Sequence, residues 1–373
     1  MRADDHRFAS LSLDRLLVAH GTLMIVRGTS GAIEAGESSP PLRRRRVPSA
    51  VRVSLITVGW LIVAVLGVVA LLRLVAWDSV EPLIVLNALT FVVYLPAWVV
   101  AAAALITRRW WLAAAAALIV AAQLVFVMPE LSAAAPVPAW APHAPSVRVF
   151  DANVDKSFQF QPGYVRAIEQ DHPDLVTLEE LTPPALRSMT AAGVLARFPY
   201  RCAAPAFGAD GFLIASRLRL TGCQVQIEIW NGDVWTPYMV EATLWTSAGP
   251  VTLRVVHTLA PFPASWREWT GALADVGRSV RDSGTNAMLM VGDFNATWGN
   301  KGFAAILHDG LTDGAAARGR AIDMTWPNGA LVPPFVRIDH VLTGAHLAVT
   351  EIAAKPGFGS DHRYLIAKIA IRT

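Results

Sequence analysis

Two short strings near the C-terminus, Gly292-Asp293-Phe294-Asn295 and Gly359-Ser360-Asp361-His362, each set a carboxylate beside an amide or an imidazole next to an apolar run. Side chains of these types, presented at one edge of a sheet, move protons and hold cations. Together they point to hydrolysis at phosphorus.

Other polar residues close apolar runs in the same way. Asn153 ends Val147–Asn153, Glu180 follows Asp174–Leu178, and His257 follows Val251–Val256. Asp339 lies within Arg337–Leu342, and Asp361 and His362 precede a last strand, Arg363–Ile371. These runs, with Gly211–Ala215 and Ala287–Val291, have the length and character of strands. Tyr164–Gln170 and Ala264–Val280 read as helices, and Thr182 before Pro183 as a helix start. Tyr200–Leu253 reads as consecutive strands joined by turns, with Asn231-Gly232 as a hairpin signal. Strands mixed with helices in this way predict two packed sheets with helices outside. Polar groups just beyond strands that share a sheet edge converge there. Asp151 and Glu179 adjoin the candidates, but alternation sends neighbouring strand residues to opposite faces, and the register favours Glu180. His143, His172, His308, His340 and His346 have no comparable context and read as structural or surface residues.

The elements that carry these residues occupy only part of the chain. Of 373 residues, 54% are hydrophobic and 16% charged, too apolar for an ordinary soluble enzyme. The excess is localised. Val53–Leu72, Pro82–Thr107 and Trp110–Pro129 contain no Asp, Glu, Lys or Arg, and each reaches the roughly 20 residues a helix needs to cross hydrocarbon. They predict three transmembrane helices over 51–130, after a largely disordered tail over 1–50. Arg43–Arg46 and Arg52 precede the first span and Arg108-Arg109 lie between the second and third, so the N-terminus is expected in the cytoplasm. Arg73, at the far end of span one, dissents and is expected to snorkel to the interface. Three crossings then put the remainder outside the cytoplasm. The Pro- and Ala-rich stretch 131–146 reads as an extended, semi-rigid linker, and 147–373 as one large domain.

Residues 1–146 hold 12 Lys plus Arg against 8 Asp plus Glu, leaving 20 and 21 beyond them. The basic excess belongs to the anchor, which weakens the case for a nucleic acid bound through a broad basic face of the domain. Cys202 and Cys223 flank the apolar run Gly211–Ser216, and an extracytoplasmic location favours a disulfide between them. Seven of the 13 tryptophans lie in the domain, where core packing is the first expectation.

In their order and intervals these strings resemble the endonuclease/exonuclease/phosphatase superfamily, over essentially all of 147–373. Gly211–Arg217 is similar to its Gly-x-x-Ile-x-Ser-Arg strand. The resemblance implies a DNase I-like, four-layer α/β sandwich, here preceded by three transmembrane helices. It also implies roles. Asn153, Glu180 and Asp361 would hold a divalent cation, Mg²⁺ with Mn²⁺ as the alternative, because oxygen ligands suit a hard ion that also binds phosphate. Asp293 would orient or deprotonate the attacking water, and Asn295 would hold a nonbridging oxygen. His362, oriented by Asp339, and His257 would meet the phosphate as imidazoles, with the general base left open. Thr325-Trp326-Pro327 and Phe335–His340 resemble the YafD-like branch, and the three-span layout is similar to VanJ-type membrane proteins.

Three readings follow. The first is a membrane-anchored, metal-dependent phosphohydrolase acting on a lipid-linked phosphate or pyrophosphate of the cell envelope, its partners the bilayer and that substrate. The second is an extracellular nuclease. The third, an inactive binding domain, is disfavoured because none of the acids and histidines is missing.

Overall fold

The computed structural model describes residues 48–157, 162–230, 234–262 and 265–373. The expected tail, with Arg43–Arg46, and the Asn231-Gly232 turn lie outside the described residues. The described chain begins with α1 (Ser49–Val75), α2 (Glu81–Ala88), α3 (Thr90–Val93), α4 (Leu95–Ile106) and α5 (Trp110–Leu131). Of these, α1 and α5 are long and apolar enough to cross a membrane, and the count rises to three if α2 and the run Thr90–Ile106 are taken as one bent span.

That bend corrects the expectation of a single straight crossing over Pro82–Thr107. The two parts meet at 78°. Arg73 does not snorkel outward; it is buried and donates to Asn87 Oδ1 (3.2 Å) and Thr90 Oγ1 (2.8 Å), while Asn87 Nδ2 donates to Asp78 Oδ1 (2.7 Å). A charge withdrawn from water needs such partners, and gathering Asn87 and Thr90 around it keeps α2 out of line with α4.

The linker makes contacts of its own. Ala135 N donates to Ala317 O (3.1 Å), and Val137, Trp140 and Ala144 pack beside buried Ala141, Ala348 and Ala370. It lies along the domain.

The domain comprises β1 (Ser146–Asn153), α6 (Pro162–Asp171), β2 (Leu175–Glu179), α7 (Pro183–Ala191), β3 (Tyr200–Ala204), β4 (Phe212–Ser216), β5 (Leu220–Trp230) and β6 (Val234–Thr246). It continues with β7 (Gly249–His257), α8 (Trp266–Ser283), β8 (Met288–Asp293), α9 (Lys301–His308), β9 (Thr312–Asp313), α10 (Gly314–Ala317), β10 (Asp339–Thr343), β11 (Leu347–Lys355) and β12 (Tyr364–Ile371). One sheet has the order β11-β12-β1-β2-β4-β3 and the other β5-β6-β7-β8-β10-β9. The pairs β1/β2 and β7/β8 are parallel, and the remaining ladders are antiparallel. Each parallel pair needs a crossover, supplied by α6 and α8. On α7, Thr182 Oγ1 caps the helix by accepting from Ala185 N (3.3 Å).

Alternation along the strands divides the core into layers. Val149, Leu175, Ile214, Val255, Val291 and Ile369 meet between the sheets, whereas Phe150, Val176, Leu178 and Leu213 face the other way, toward α6 and α7. On α8, Trp269, Ala272, Leu273, Val276 and Val280 recur at helical spacing and bury one face against the second sheet. The result is a four-layer, two-sheet α/β sandwich. Its outermost cluster, around Trp269, Met290 and Phe303, also takes in Ile84 of α2 and Val127 of α5, so the apolar helices contribute to the domain's own core. Cys202 of β3 and Cys223 of β5 are joined by a disulfide, which ties the edge strands of the two sheets together.

Candidate active site

Strand register assembles the site. Asn153 pairs with Glu179 at the ends of β1 and β2, and His257 with Asp293 at the ends of β7 and β8. Across the antiparallel ladder, Asp339 at the start of β10 lies opposite Asp293. Two parallel pairs, one in each sheet, thus end at the same edge of the sandwich and bring four strands together, and the loop before β12 brings Asp361 and His362.

Asp293 is the hub. It is 1% exposed, and its Oδ2 accepts from Asn153 Nδ2 (3.1 Å) while lying 3.8 Å from His257 Nε2 and 3.6 Å from His362 Nε2. Its Oδ1 accepts from the Asn295 backbone N–H (2.8 Å), and Asn295 Nδ2 donates to Thr258 O (2.9 Å). Gly292 makes the approach possible: it has φ 125°, and a Cβ there would come within 2.1 Å of Val256 O. Asn153 Nδ2 also donates to Glu180 Oε1 (3.1 Å), and His257 Nε2 lies 3.6 Å from that same oxygen. A carbonyl only accepts, so the 2.9 Å contact of His257 Nδ1 with Ala209 O puts a proton on Nδ1 and turns Nε2 to the cleft. His362 Nδ1 bonds the Asp339 carboxylate at 3.0 and 3.1 Å, and Asp361 Oδ2 accepts from Trp326 Nε1 (3.0 Å).

The structure therefore brings together every residue expected at the site, with one revision of the reasoning. Asp151 and Asn153 are two apart on β1 and share a face, so Asp151 points inward, one step below the site, and not to the opposite face. Glu179 likewise faces the interior, with the Asp151 carboxyl as its neighbour. Glu180 reaches the cleft because its φ of 56° turns the chain beyond the strand end; Asn295 does the same with φ 47°. Left-handed backbone at two adjoining loops costs roughly 1–2 kcal/mol each for ordinary residues, less for asparagine, and such strain gathers at functional sites. Sequence reasoning passed over Trp326, Thr258 and Ser360, whose Oγ donates to Asn153 O (2.7 Å) and accepts from His362 N (3.0 Å). Only the Thr-Trp-Pro string marked Trp326.

Charge explains how the groups are poised. Burial alone would lower the His362 imidazole, but the carboxylates of Asp339, Asp293 and Asp361 outweigh it and push the group up to about 10. Asp293 is raised to about 6, by burial first and then by Asp339, against the pull of His362 and His257. Glu180 is lowered: His257, Lys156 N–H and Asn153 overcome the effect of its burial. Below the site Asp151 rises to about 7 and Glu179 rises well above the usual range, chiefly through burial. These two carboxyls are held protonated more readily than any at the surface.

A pH dependence follows. A histidine raised from 6.5 to about 10 stabilises the fold fully below pH 6.5, and loses that contribution as pH rises through about 10. Thermal melts in chelating buffer are expected to lose stability on the order of a few kcal/mol across that window. His362→Gln should flatten the loss; an equal slope in both proteins would discount the Asp339–His362 pair as its source.

The ligand atoms of Asp293, Asp339 and His362 lie within 4.8 Å of one another, close enough to grip an ion. His362 already neutralises this group through Nδ1, so it suits proton handling better than coordination. Oxygens with spare lone pairs lie at and beside the neighbouring cleft: the Glu180 carboxylate and Asp361 Oδ1 line it, and buried Asn153 Oδ1, which accepts from Asp155 N, adjoins Glu180 through the Asn153 amide. This set fits a hard divalent cation.

Residues 159–362, more than half of the chain, match the family described as Endonuclease/Exonuclease/phosphatase. The chain belongs to that family. Its common chemistry is phosphoester hydrolysis, which suits the acids, imidazoles and amide gathered here. Comparison with curated protein sequences gives no match. Among solved structures, D. rerio TDP2 complexed with a single strand DNA product is similar, with TM-score 0.50, 18% identity, and coverage of 60% of this chain and 98% of that one. The 3'-5' exonuclease NExo from Neisseria meningitidis gives 0.49 and 18%, covering 61% and 100%. An endonuclease/exonuclease/phosphatase from Beutenbergia cavernae gives 0.48 and 16%, covering 61% and 72%. At such identities the likeness is one of fold.

Proposed function

We propose that this protein is a membrane-anchored, metal-dependent phosphohydrolase acting outside the cytoplasm on a lipid-linked phosphate or pyrophosphate. One observation carries the reading: the acids and imidazoles of the site share a single cleft of about 820 Å³ with side chains of α2, the segment between the apolar helices. Around that cleft Asp155, Glu180, Asp293 and Asp361 face one Lys or Arg among the described residues, Lys156, besides the imidazolium of His362. A long polyanion such as DNA would find few counter-charges there. The Cys202–Cys223 disulfide supports an oxidising compartment for the domain, and with it a cytoplasmic N-terminus.

Asn153, Glu180 and Asp361 would hold Mg²⁺, which when bound neutralises charge growing on the phosphoryl oxygens. Asp293, poised near neutrality, takes the proton of the attacking water; its raised acidity range is close to that of an efficient general base at neutral pH. His362 is protonated at neutral pH and so acts as acid or electrophile, its ring fixed by Asp339. Asn295, its amide aimed by Thr258 O, holds a nonbridging oxygen. The YafD-like, VanJ-type layout agrees with this reading.

The test uses the full chain in detergent, offered polyprenyl pyrophosphate, a phosphodiester lipid and DNA. Hydrolysis of lipid in Mg²⁺, abolished by EDTA and restored by Mg²⁺, is expected. Cleavage of DNA alone would overturn the reading.

A further inference from the structure

The cleft is not chemically uniform. It holds Glu180, His257, Asp293, Asn295, Asp361 and His362, all polar. The same cleft is lined by Ile84, Val85, Ala88 and Leu89 of α2 and the turn after it, and by Leu259, Pro261 and Phe262 of the loop after β7, with Asn300 and Ser265 beside them. Spacing of one, three and four residues puts the first group on one face of α2 and its C-terminal turn. Among the described residues, Lys156 is the one Lys or Arg that lines the cleft, and these apolar segments, together the apolar arm, carry none.

The α2 wall is held firmly. Trp77 Nε1 donates to Gly299 O (2.8 Å), Asp78 Oδ2 accepts from Lys301 N (2.6 Å), and Asn300 Nδ2 donates to Ile84 O (3.1 Å). Gly299 permits the contact, since a Cβ there would lie 2.1 Å from Asn87 O. Phe91 meets Trp298 edge to face at 4.7 Å. All of these clamp α2 to the loop that follows Asn295. The wall is also continuous at both ends with apolar helices, α1 before it and α4 after it. Phe262 is 64% exposed. An apolar wall continuous with apolar helices, in one cleft with an exposed aromatic, is suited to hydrocarbon.

We propose that this arm is a chain-binding subsite: it takes the first carbons of a long hydrocarbon chain whose terminal phosphate lies among the acids and histidines, while the rest of the chain stays in the bilayer. The inference rests on the lipid-phosphate reading above and narrows it, making α2 and Phe262 the determinants of substrate choice. Volume agrees: about 820 Å³ is near the top of the range for small-ligand sites, and a phosphate fills little of it.

The experiment compares kcat/KM of the full-length protein for isoprenyl pyrophosphates of increasing chain length, and for a diacylglycerol pyrophosphate to separate polyprenyl from acyl chains. In the wild type, kcat/KM should climb severalfold with each added isoprene unit until the arm is full, then level off. Ala88→Trp, which fills the arm, should lower the ratio of long-chain to shortest-chain kcat/KM about tenfold. Phe262→Ser, at an exposed position that threatens folding less, should lower it severalfold. A flat chain-length series, or variants that leave the ratio unchanged, would overturn the subsite while leaving the phosphohydrolase reading intact. A wild type inert toward every lipid pyrophosphate and active on DNA would remove both.

Discussion

Asp293→Asn is expected to lower kcat on any phosphoester the wild type hydrolyses by about 10³-fold or more, with little change in KM. The substitution nearly preserves shape, so the ladder of β8 with β7 and β10 should persist. What disappears is the negative charge that His257, His362 and Asn153 converge upon, and the only carboxylate at the centre of the cluster that is both buried and raised to about 6. An amide can neither accept the proton of water nor balance an imidazolium 3.6 Å away. Asn295→Ala should cost about 10²–10³, the usual effect of removing one donor to a developing oxyanion. Steady-state kinetics with matched circular dichroism would check both. A loss under tenfold in Asp293→Asn would take that residue out of the reaction.

The second large effect concerns stability. Arg337→Leu is expected to destabilise the full-length protein by about 3–5 kcal/mol. The guanidinium is 1% exposed, donates to Asp313 Oδ2 (2.6 Å), pairs with Glu130 of α5 and contacts His340 Nδ1 (3.1 Å). Leucine would leave Glu130 and Asp313 buried without the guanidinium, Asp313 keeping its contact with His340 Nδ1 (2.8 Å). Glu130→Gln should cost less, because Asp313 still pairs with the arginine. The pair joins the end of an apolar helix to the residue two places before Asp339, so Arg337→Leu should also slow catalysis through the His362 orienter. Thermal melts in detergent would show the loss as roughly 10 °C or more. A change below 2 °C would mean that the cluster contributes little to holding anchor and domain together.

Much of this was readable from residues alone, for a physical reason. A strand must be apolar inside and must end where a polar residue reaches solvent or a ligand, so Asn153, His257 and Asp293 declare themselves by following runs such as Val251–Val256. Pairing register then converts sequence position into spatial position. The failures share an opposite cause. Hydropathy reports the length of an apolar stretch and is blind to its direction, so Pro82–Thr107 read as one straight crossing; only Asn87 and Thr90 within it hinted at the break. The contacts that bend it join residues such as Asp78 and Asn300, 222 positions apart, which carry no local signature. Arg73 read as snorkelling because its partners could not be foreseen. Glu180 shows a subtler limit. Alternation suggested the residue, yet a left-handed turn beyond the strand is what brings it to the cleft.

Ile84 and Val127 lie in the same buried cluster as Trp269, Met290 and Phe303. The boundary drawn by composition near residue 147 is therefore not the boundary at which the core ends. A protease cutting in the Pro- and Ala-rich stretch would free something that looks like a soluble enzyme but has lost two plugs from its hydrophobic interior and one wall of its cleft. In packing terms the apolar helices are part of the domain's own fold, and removing them is expected to destabilise the catalytic half.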